Sequence, residues 1–296
     1  MANTIASGLQ NNIIAQSALD AFVDILAPLA SFSQSFNDQA AETGKTINVT
    51  TLANTTGATD FAGTYTSMDT DYATTTITLD KHKFNTWHLS DTNYSQSSAV
   101  ELERFGYQKG GELAKTVFQD ILSAVTVANF SSSTVIAASA FDVDDVADLR
   151  NHMVSLGAMP DLCNIVVGPS YFANLLKDSK IVADAYGSRE AIRDGQVPSL
   201  FGFNGIYESS AIPANGENLG GFVCHPSAMA VAMRYLEPSD SSQYISTRRL
   251  TDPRTGIVLG YREYYTASTG KKSAVLEAVY GYSVAIAEDL QRITTS

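Results

Sequence analysis

The chain has 296 residues, a formal net charge of −12 at pH 7 and an apolar fraction of 44%. This length is enough for one large hydrophobic core or two modest ones, and the apolar fraction indicates a folded chain. The acidic balance argues against a protein whose main task is to grip nucleic acid, because neutralising phosphates requires clustered Lys and Arg. It does not exclude a container for nucleic acid, whose inner wall must avoid strong adhesion.

The first 35 residues predict an N-terminal arm, which is polar at first and then amphipathic. Its apolar positions have the spacing of a short helix that stops near Pro28: Leu19, Phe22, Val23, Ile25, Leu26 and Leu29. Residues 36–43 are predicted to be a linker. We expect no secretory signal, because no basic stretch followed by an apolar run opens the chain. We also expect no membrane partner, because no run approaches the ~20 apolar residues that span a bilayer.

Two Thr-rich segments predict a long β-hairpin within residues 44–90. Residues 44–52 form the predicted first strand and residues 71–81 the second, since branching at Cβ fits a half-buried sheet surface. A ribbon of two strands is marginal in water, so we expect a second copy of the chain to cover it. We predict that Phe61 and Tyr65 anchor the hairpin tip on that neighbour.

A long helix is predicted directly after the hairpin, with Asp91 or Thr92 as its N-cap. The single tryptophan, Trp87, precedes the helix and is predicted to anchor the base of the hairpin. Apolar residues recur every three to four positions and define one face, which we expect to pack against the protein's own β-sheet. The residues of this face are Leu102, Phe105, Leu113, Val117, Ile121 and Val125, with Lys109 as a charged interruption.

Three glycines lie inside this helical pattern, at Gly106, Gly110 and Gly111. Each glycine costs about 1 kcal/mol relative to Ala in a helix interior. They therefore indicate that another backbone approaches closely, or that the helix bends. We predict that the helix ends at residues 131–133, which are three serines.

Helix and strand signals alternate in residues 141–235 and predict an α/β unit. A helix from Val143 to Leu156 begins at an acidic cluster and stops at Gly157. Further helices are predicted at 171–176 and 188–195, with strands at 164–167, 205–208 and 221–224. Residues 236–296 then return to β structure, with strands at 261–265 and 274–280 and turns at 251–256 and 269–272.

Motifs for metal, phosphate or cofactor binding are incomplete in this sequence. Residues 44–46 read Gly-Lys-Thr, but the earlier glycine of a phosphate loop is missing and a strand follows. His82 and His88 share a strand face, but no Cys or carboxylate at metal-ligand spacing joins them. The acidic cluster that begins at Asp142 lacks the glycine and glutamate of a calcium loop. We therefore predict no catalytic, metal or cofactor site.

The two cysteines, Cys163 and Cys224, lie in apolar runs and are predicted to be buried structural thiols. A catalytic thiol needs an imidazole beside it in space. His225 follows Cys224, but neighbouring strand residues point to opposite faces, and His152 stays open as a partner. The alternative from another class of protein is a soluble thiol-dependent hydrolase.

The order of segments resembles the major capsid proteins of tailed bacteriophages, which share the HK97-type fold. Phrases that look like those of phage coat proteins lie at residues 165–171, 192–197, 200–203 and 225–230. The resemblance covers nearly the whole chain and implies an α+β, HK97-like capsid fold. Its parts would be an N-terminal arm and linker (1–43), an extended β-hairpin called the E-loop (44–90), an α/β A domain (141–235) and a β-rich P domain (91–140 and 236–296) that contains the long spine helix.

The resemblance also implies a function. The protein would be a non-enzymatic virion component that self-assembles, as pentamers and hexamers, into an icosahedral phage head around double-stranded DNA. Its partners would be further copies of itself, a portal, scaffolding or decoration proteins, and packaged DNA held without sequence-specific contact. Assembly would take place in the host cytoplasm. An alternative with the same fold is an encapsulin-like compartment that holds protein cargo.

Two features depart from the family pattern. No Lys lies between Thr55 and Thr70, so we expect no crosslink between subunits through a lysine of the hairpin tip. Residues 1–43 are too few for the long scaffolding segment that some relatives carry at the N-terminus, so we expect none.

Overall fold

A computed structural model of the chain describes residues 7–35, 46–52, 60–61, 63–64, 72–97, 99–182, 200–212, 216–252 and 255–295. The helices are α1 (Ser7–Ile25), α2 (Asp91–Gln96), α3 (Ala99–Leu122), α4 (Val143–Ser155), α5 (Pro169–Lys177) and α6 (Ser179–Val182). The strands are β1 (Ser33–Ser35), β2 (Thr46–Leu52), β3 (Tyr72–Thr78), β4 (Lys81–Ser90), β5 (Ser133–Val135), β6 (Asn164–Val167), β7 (Gly205–Glu208), β8 (Leu219–Cys224), β9 (Met229–Arg234), β10 (Ser246–Thr251), β11 (Val258–Thr266), β12 (Lys271–Val284) and β13 (Leu290–Thr294).

The described strands form a six-stranded sheet, a five-stranded sheet and a two-stranded ribbon. In the six-stranded sheet the order is β1-β9-β12-β11-β10, and β4 pairs with β12 as well. In the five-stranded sheet the order is β5-β13-β8-β6-β7. This mixture of helices and sheets agrees with the predicted α+β class.

The chain passes between the two larger sheets more than once. Strand β8 lies in the five-stranded sheet and the next strand, β9, in the six-stranded sheet. Strand β12 lies in the six-stranded sheet, and β13 returns to the five-stranded sheet, where it pairs antiparallel with β8. The predicted boundary at residue 235 placed β9 in the α/β unit and β13 in the β return. Their hydrogen bonds instead place β9 in the six-stranded sheet and β13 in the five-stranded sheet.

The predicted hairpin is present as β2 and β3, which pair in register from Thr46 and Thr78 to Leu52 and Tyr72. We expected the hairpin to be covered only by a second copy of the chain, and at its base this expectation is wrong. There Ile47, Ile77 and Leu79 are buried against Ala230 and Ala232 of β9. The predicted second strand also ends early, because Lys81 starts a new strand, β4, that pairs with β12.

Helix α1 is longer than the short helix predicted for the arm, and it ends at Ile25. A 3-10 turn from Ala27 to Ser31 follows, with Pro28 in its first turn, as expected for a residue without a backbone N–H. After the hairpin, two helices replace the single long one. Ser90 caps α2, rather than Asp91 or Thr92, because its hydroxyl accepts from the Asn93 N–H at 3.2 Å.

The long helix α3 starts after an extended residue, Ser97, and ends at Leu122, well before the predicted end at residues 131–133. In the α/β lobe, α4 begins with the predicted acidic cap. The Asp142 side chain accepts from the backbone of Asp144 and Asp145, while Asp145 accepts from Asp142. Burial raises the pKa of the Asp145 carboxyl. Gly157 follows the helix with a φ of +85°, the conformation that favours glycine. The helix predicted at 188–195 lies outside the described residues.

Candidate assembly surfaces

Helices α1 and α3 pack against each other with their backbones in contact. A Cβ atom on Gly106 would lie 2.5 Å from the Ile14 carbonyl oxygen, and one on Gly110 would overlap the Ala18 carbonyl. The Ser17 hydroxyl donates to the Glu103 carbonyl at 2.7 Å beside this contact. The close-approach interpretation of Gly106 and Gly110 is therefore correct, since any side chain there would push α1 away.

The predicted apolar face of α3 lies in the largest core cluster. Leu102, Leu113, Val117, Ile121 and Val125 are buried, and Phe105 is half-buried beside them. The sequence predicted a β-sheet as the neighbour of this face. In the structure α1 is the main neighbour of α3, and β4 and β12 contact it as well. The difference arises because the apolar side of the N-terminal arm folds back onto its own subunit.

Aromatic and charged side chains fix α3 to the six-stranded sheet. Trp87 of β4 is buried, as predicted for an anchor, with ring centroids 5.9 Å from Phe105 and 6.1 Å from Tyr261. Near the other end of α3, Asp120 accepts from the Tyr280 hydroxyl at 2.7 Å and pairs with Lys81 at 3.5 Å. Burial and then the Asp120 carboxylate raise the pKa of Tyr280. These contacts leave the opposite side of α3 to solvent.

The hairpin differs from this helix pair because its sequence is polar and acidic, and because most of its described side chains beyond the buried base are exposed. Residues 46–80 contain four Asp and no Lys or Arg. On its polar side the Thr76 hydroxyl donates to the Asn48 side chain at 3.0 Å across the two strands. Phe61, at the predicted tip, is 64% exposed, whereas Tyr65 and most of residues 55–70 lie outside the described residues. An exposed phenyl ring at the end of a ribbon suits contact with a neighbouring molecule.

Other exposed apolar residues were not found by sequence reasoning. Phe84 of β4 is 62% exposed, and its ring lies 6.3 Å from that of His82 on the same strand face. In the α/β lobe, four more apolar residues are exposed around the end of α4 and the segment before β7: Val154, Met159, Leu162 and Phe201. The alternation of β4 was a signal for Phe84, because it places Phe84 with His82 and His88 rather than with buried Trp87.

The histidines of β4 take part in hydrogen bonds rather than in a metal site. His82 Nε2 lies 3.0 Å from a Glu277 carboxylate oxygen, and His88 Nδ1 lies 2.8 Å from the Ser273 hydroxyl. Among the residues that the structure describes, no group of three or more His, Cys, Asp or Glu could hold a metal ion.

Both thiols are buried, as predicted. The Cys163 thiol donates to the Met159 carbonyl at 3.3 Å, and the Cys224 thiol to the Ser31 carbonyl at 3.1 Å. Burial raises the pKa of Cys163 to about 12 and also raises that of Cys224. His152, the imidazole left open by the sequence, contacts Ser132 at 3.1 Å. A nucleophilic thiolate needs a lowered pKa and a partly exposed, electropositive environment. The geometry of both cysteines therefore disfavours the hydrolase alternative.

Comparison with solved structures supplies the class of fold. No family model and no curated protein matches the chain. The capsid of the cyanophage P-SCSP1u is similar to this chain with a TM-score of 0.61 at 13% identity, over 90% of this chain and 86% of that chain. A structure from Mycobacterium phage Che8 has a TM-score of 0.56 at 18% identity, over 87% and 88%. The virus-like particle from Pyrococcus furiosus has a TM-score of 0.55 at 11% identity, over 95% and 97%.

These similarities extend over nearly the full length of both chains in each pair. The chain therefore has the fold of phage capsid proteins, as the sequence resemblance indicated. The cyanophage structure is a capsid and the Pyrococcus furiosus structure is a virus-like particle, and none of these matches indicates an enzyme family. None of the helices in the described part of the chain is both long and apolar enough to cross a membrane.

Proposed function

We propose that this protein is the major capsid protein of a tailed bacteriophage and that it self-assembles into an icosahedral shell around double-stranded DNA. The observation that carries the proposal is the match of 90% of this chain to the capsid of the cyanophage P-SCSP1u, with a TM-score of 0.61. The exposed ribbon and apolar residues add physical support. A shell subunit must contact several neighbours and therefore needs uncovered surface of this kind.

The parts of the subunit take the roles that the resemblance implies. The hairpin β2–β3 is the E-loop, α3 is the spine helix, and α1 with β1 and the linker is the N-terminal arm. The five-stranded sheet with α4, α5 and α6 is the A domain, and the six-stranded sheet with α3 is the P domain. In this assignment β9 belongs to the P domain and β13 to the A domain, following the sheet pairing. Phe61 and Tyr65 are the proposed tip contacts with a neighbouring subunit.

The proposed partners are further copies of the chain as pentamers and hexamers, a portal, and scaffolding or decoration proteins. Packaged DNA would contact the inner wall without sequence preference. The net charge of −12 supports this weak contact, because an acidic wall does not hold phosphates tightly. Mature protein would be found in the virion after assembly in the host cytoplasm.

Sizing of the purified protein with light scattering, followed by negative-stain imaging, tests the proposal. We expect rings, capsomers or closed shells, together with free subunit. Nuclease-resistant DNA should be recovered from particles made in infected cells. A protein that stays monomeric under every assembly condition and shows thiol-dependent hydrolase activity would refute the proposal.

An encapsulin-like compartment is the second candidate, and the similarity to the Pyrococcus furiosus virus-like particle over 95% of this chain favours it. The two candidates differ in what the shell contains. Gentle lysis of purified particles separates them, because double-stranded DNA supports the phage head, whereas a stoichiometric folded enzyme without DNA supports the compartment.

We further propose that mature particles lack crosslinks made through a lysine of the hairpin tip. This follows from the absence of Lys between Thr55 and Thr70. After boiling with reductant, particles should run as one band near 31.7 kDa on a denaturing gel. A ladder of multimers that resists reductant would contradict this part of the proposal without affecting shell formation.

A further inference from the structure

The hairpin β2–β3 leaves the subunit across strand β12, and Gly281 lies at the crossing point. Gly281 belongs to β12 and pairs with Ala232 of β9. A Cβ atom on Gly281 would overlap the carbonyl oxygen of Thr78, the last residue of β3, and would lie 2.8 Å from its carbonyl carbon. Glycine weakens the interior of a strand, and there it often marks the close approach of another backbone. At Gly281 the approaching backbone is that of the hairpin.

Small residues form a floor beneath the base of the hairpin. Ala232, the partner of Gly281, and Ala230 are buried in β9, and Ile47 and Ile77 pack against these two alanines. Ile47 and Ile77 are partners across the ribbon and are 4% and 0% exposed. A radial gap of about 0.5–1 Å already forfeits a quarter to a half of the attraction between two atoms. The floor of small residues therefore favours one height and one tilt of the ribbon.

The hairpin also has a short connection to the six-stranded sheet. Strand β3 ends at Thr78 and β4 begins at Lys81, so two residues separate them. Strand β4 pairs with β12 along its whole length, and its first residue, Lys81, is the partner of Tyr280, which precedes Gly281. The chain therefore enters the sheet directly beside the point at which the hairpin crosses it.

Side-chain contacts hold the start of β4 in place. The Lys81 ammonium lies 3.5 Å from an Asp120 carboxylate oxygen of α3 and 5.1 Å from the centre of the ring of Tyr282, the residue after Gly281. Asp120 also accepts from the Tyr280 hydroxyl at 2.7 Å. The end of the hairpin is thereby connected through β4 to both β12 and α3.

The two faces of the ribbon carry different side chains. Asn48 and Thr76 are cross-strand partners and both are exposed, whereas Ile47 and Ile77, one position along each strand, are buried. Because side chains alternate between the faces of a strand, burial of the isoleucines directs Asn48 and Thr76 away from the sheet. Rotation of the ribbon about its own axis would bury these polar side chains on the floor. The base therefore fixes the facing of the hairpin as well as its direction.

We infer that Gly281 is a positioning residue, because the contact between its backbone and that of Thr78 sets the direction in which the hairpin leaves the subunit. The base of the hairpin is then a fixed attachment rather than a hinge. The consequence for assembly rests on the proposed shell-forming function. In a shell the direction of the hairpin determines which part of a neighbouring subunit its tip reaches, so an altered direction should alter the particles.

Distances between two spin labels on the unassembled subunit test this inference. Suitable sites are Thr74→Cys on β3 and Lys115→Cys on α3, since both residues are exposed, and the native thiols of Cys163 and Cys224 are buried. With Gly281 in place, pulsed electron paramagnetic resonance should give one narrow distribution of distances. In Gly281→Ala its mean should shift by about 2 Å, because carbon atoms in contact lie about 3.5–4.0 Å apart and the new methyl group pushes β3 outwards.

The matched control is Gly260→Ala in the neighbouring strand β11. The atoms nearest to its Cβ would belong to the Glu277 side chain, at 2.7 Å, and not to the hairpin. Any loss of stability in this variant should therefore leave the distance between the labels unchanged. A broad distribution with Gly281 in place overturns the inference, and so does an unshifted mean in Gly281→Ala. The first of these results is obtained even if Gly281→Ala fails to fold.

Particles formed by the same two variants without labels test the consequence for assembly. Gly281→Ala should form closed shells at a lower yield or of a different diameter than Gly260→Ala, as measured by light scattering and negative-stain imaging. Equal shells from the two variants, together with a shifted distance in Gly281→Ala, overturn the consequence for assembly. If the parent chain forms no particles, the proposed function fails, while the label distances still decide whether Gly281 sets the direction of the hairpin.

Discussion

The helix pair α1–α3 belongs to the largest apolar core cluster of the described chain, whereas the hairpin β2–β3 contributes only to a small one. The helix pair brings two backbones into contact through glycine and fills the surrounding space with Leu, Val and Ile side chains. Among its described residues, the hairpin has a small buried cluster at its base, formed by Ile47, Ile77 and Leu79, and threonine is the commonest residue of its sequence. The helix pair can therefore be stable within one subunit, whereas for the outer hairpin we propose burial by a neighbouring molecule, since a two-stranded ribbon is marginal in water.

This comparison predicts that changes in the helix pair affect folding, and that changes in the outer hairpin affect assembly. The largest effect is expected for Leu113→Asp, which places an unpaired charge in the core and should cost about 4 kcal/mol or more. The readout is soluble yield and the thermal midpoint before assembly. The matched control is Lys115→Asp, since Lys115 is exposed and its replacement should change stability by less than about 0.5 kcal/mol.

Glu112 is a poorer control than Lys115, because its carboxylate accepts from Lys109 at 2.8 Å and from Asn85 at 3.0 Å. If Leu113→Asp folds as well as the parent and fails only in assembly, the apolar face of α3 is covered by a neighbouring subunit, and the comparison between the two regions breaks down.

The second effect concerns the glycine contact. Gly110→Ala should lower the free energy of unfolding by about 2–3 kcal/mol, because overpacking outweighs the better helix propensity of Ala. Gly111→Ala is the matched control. Its Cβ would meet the end of the Ile25 side chain at 3.1 Å, and this chain can move. Urea unfolding of both variants should rank Gly110→Ala well below Gly111→Ala; equal stability would mean that α1 is free to shift.

The third effect lies at the base of the hairpin. Ile77→Ala should cost about 2 kcal/mol, the low end of the range for large-to-small core changes, because its buried cluster is small. Hydrogen exchange should show faster exchange in β2 and β3 while α3 keeps its protection. Exchange that increases equally in α3 would show that the hairpin base and the helix pair unfold as one unit.

The smallest effect on stability is expected at the tip. Phe61→Ser should leave the free energy of unfolding of the free subunit within about 0.5 kcal/mol of that of the parent. Its rate or yield of assembly should fall, because the variant lacks the ring that we propose as a contact with the neighbouring subunit. Light scattering during assembly measures this, with Thr76→Ser as a conservative control on the polar side of the hairpin. Unchanged assembly would remove Phe61 from the interface.

The sequence by itself determined those elements that are specified by residues close to one another in the chain. The content of threonine and other β-branched residues predicted β2 and β3, the three-to-four-residue period predicted the buried face of α3, and Asp142 with Gly157 marked both ends of α4. The burial of the cysteines also followed from their apolar neighbours. These features depend on backbone preferences and side-chain periodicity, which act within a few residues.

The tertiary structure decided which element covers which. The sequence showed that Gly106 and Gly110 allow a close approach, but not that α1 makes it, because an apolar helix face fits many partners equally well. The sequence also placed β9 and β13 with their neighbours along the chain, whereas each pairs in the other sheet. Strand pairing depends on contacts between distant residues, and no local pattern encodes it.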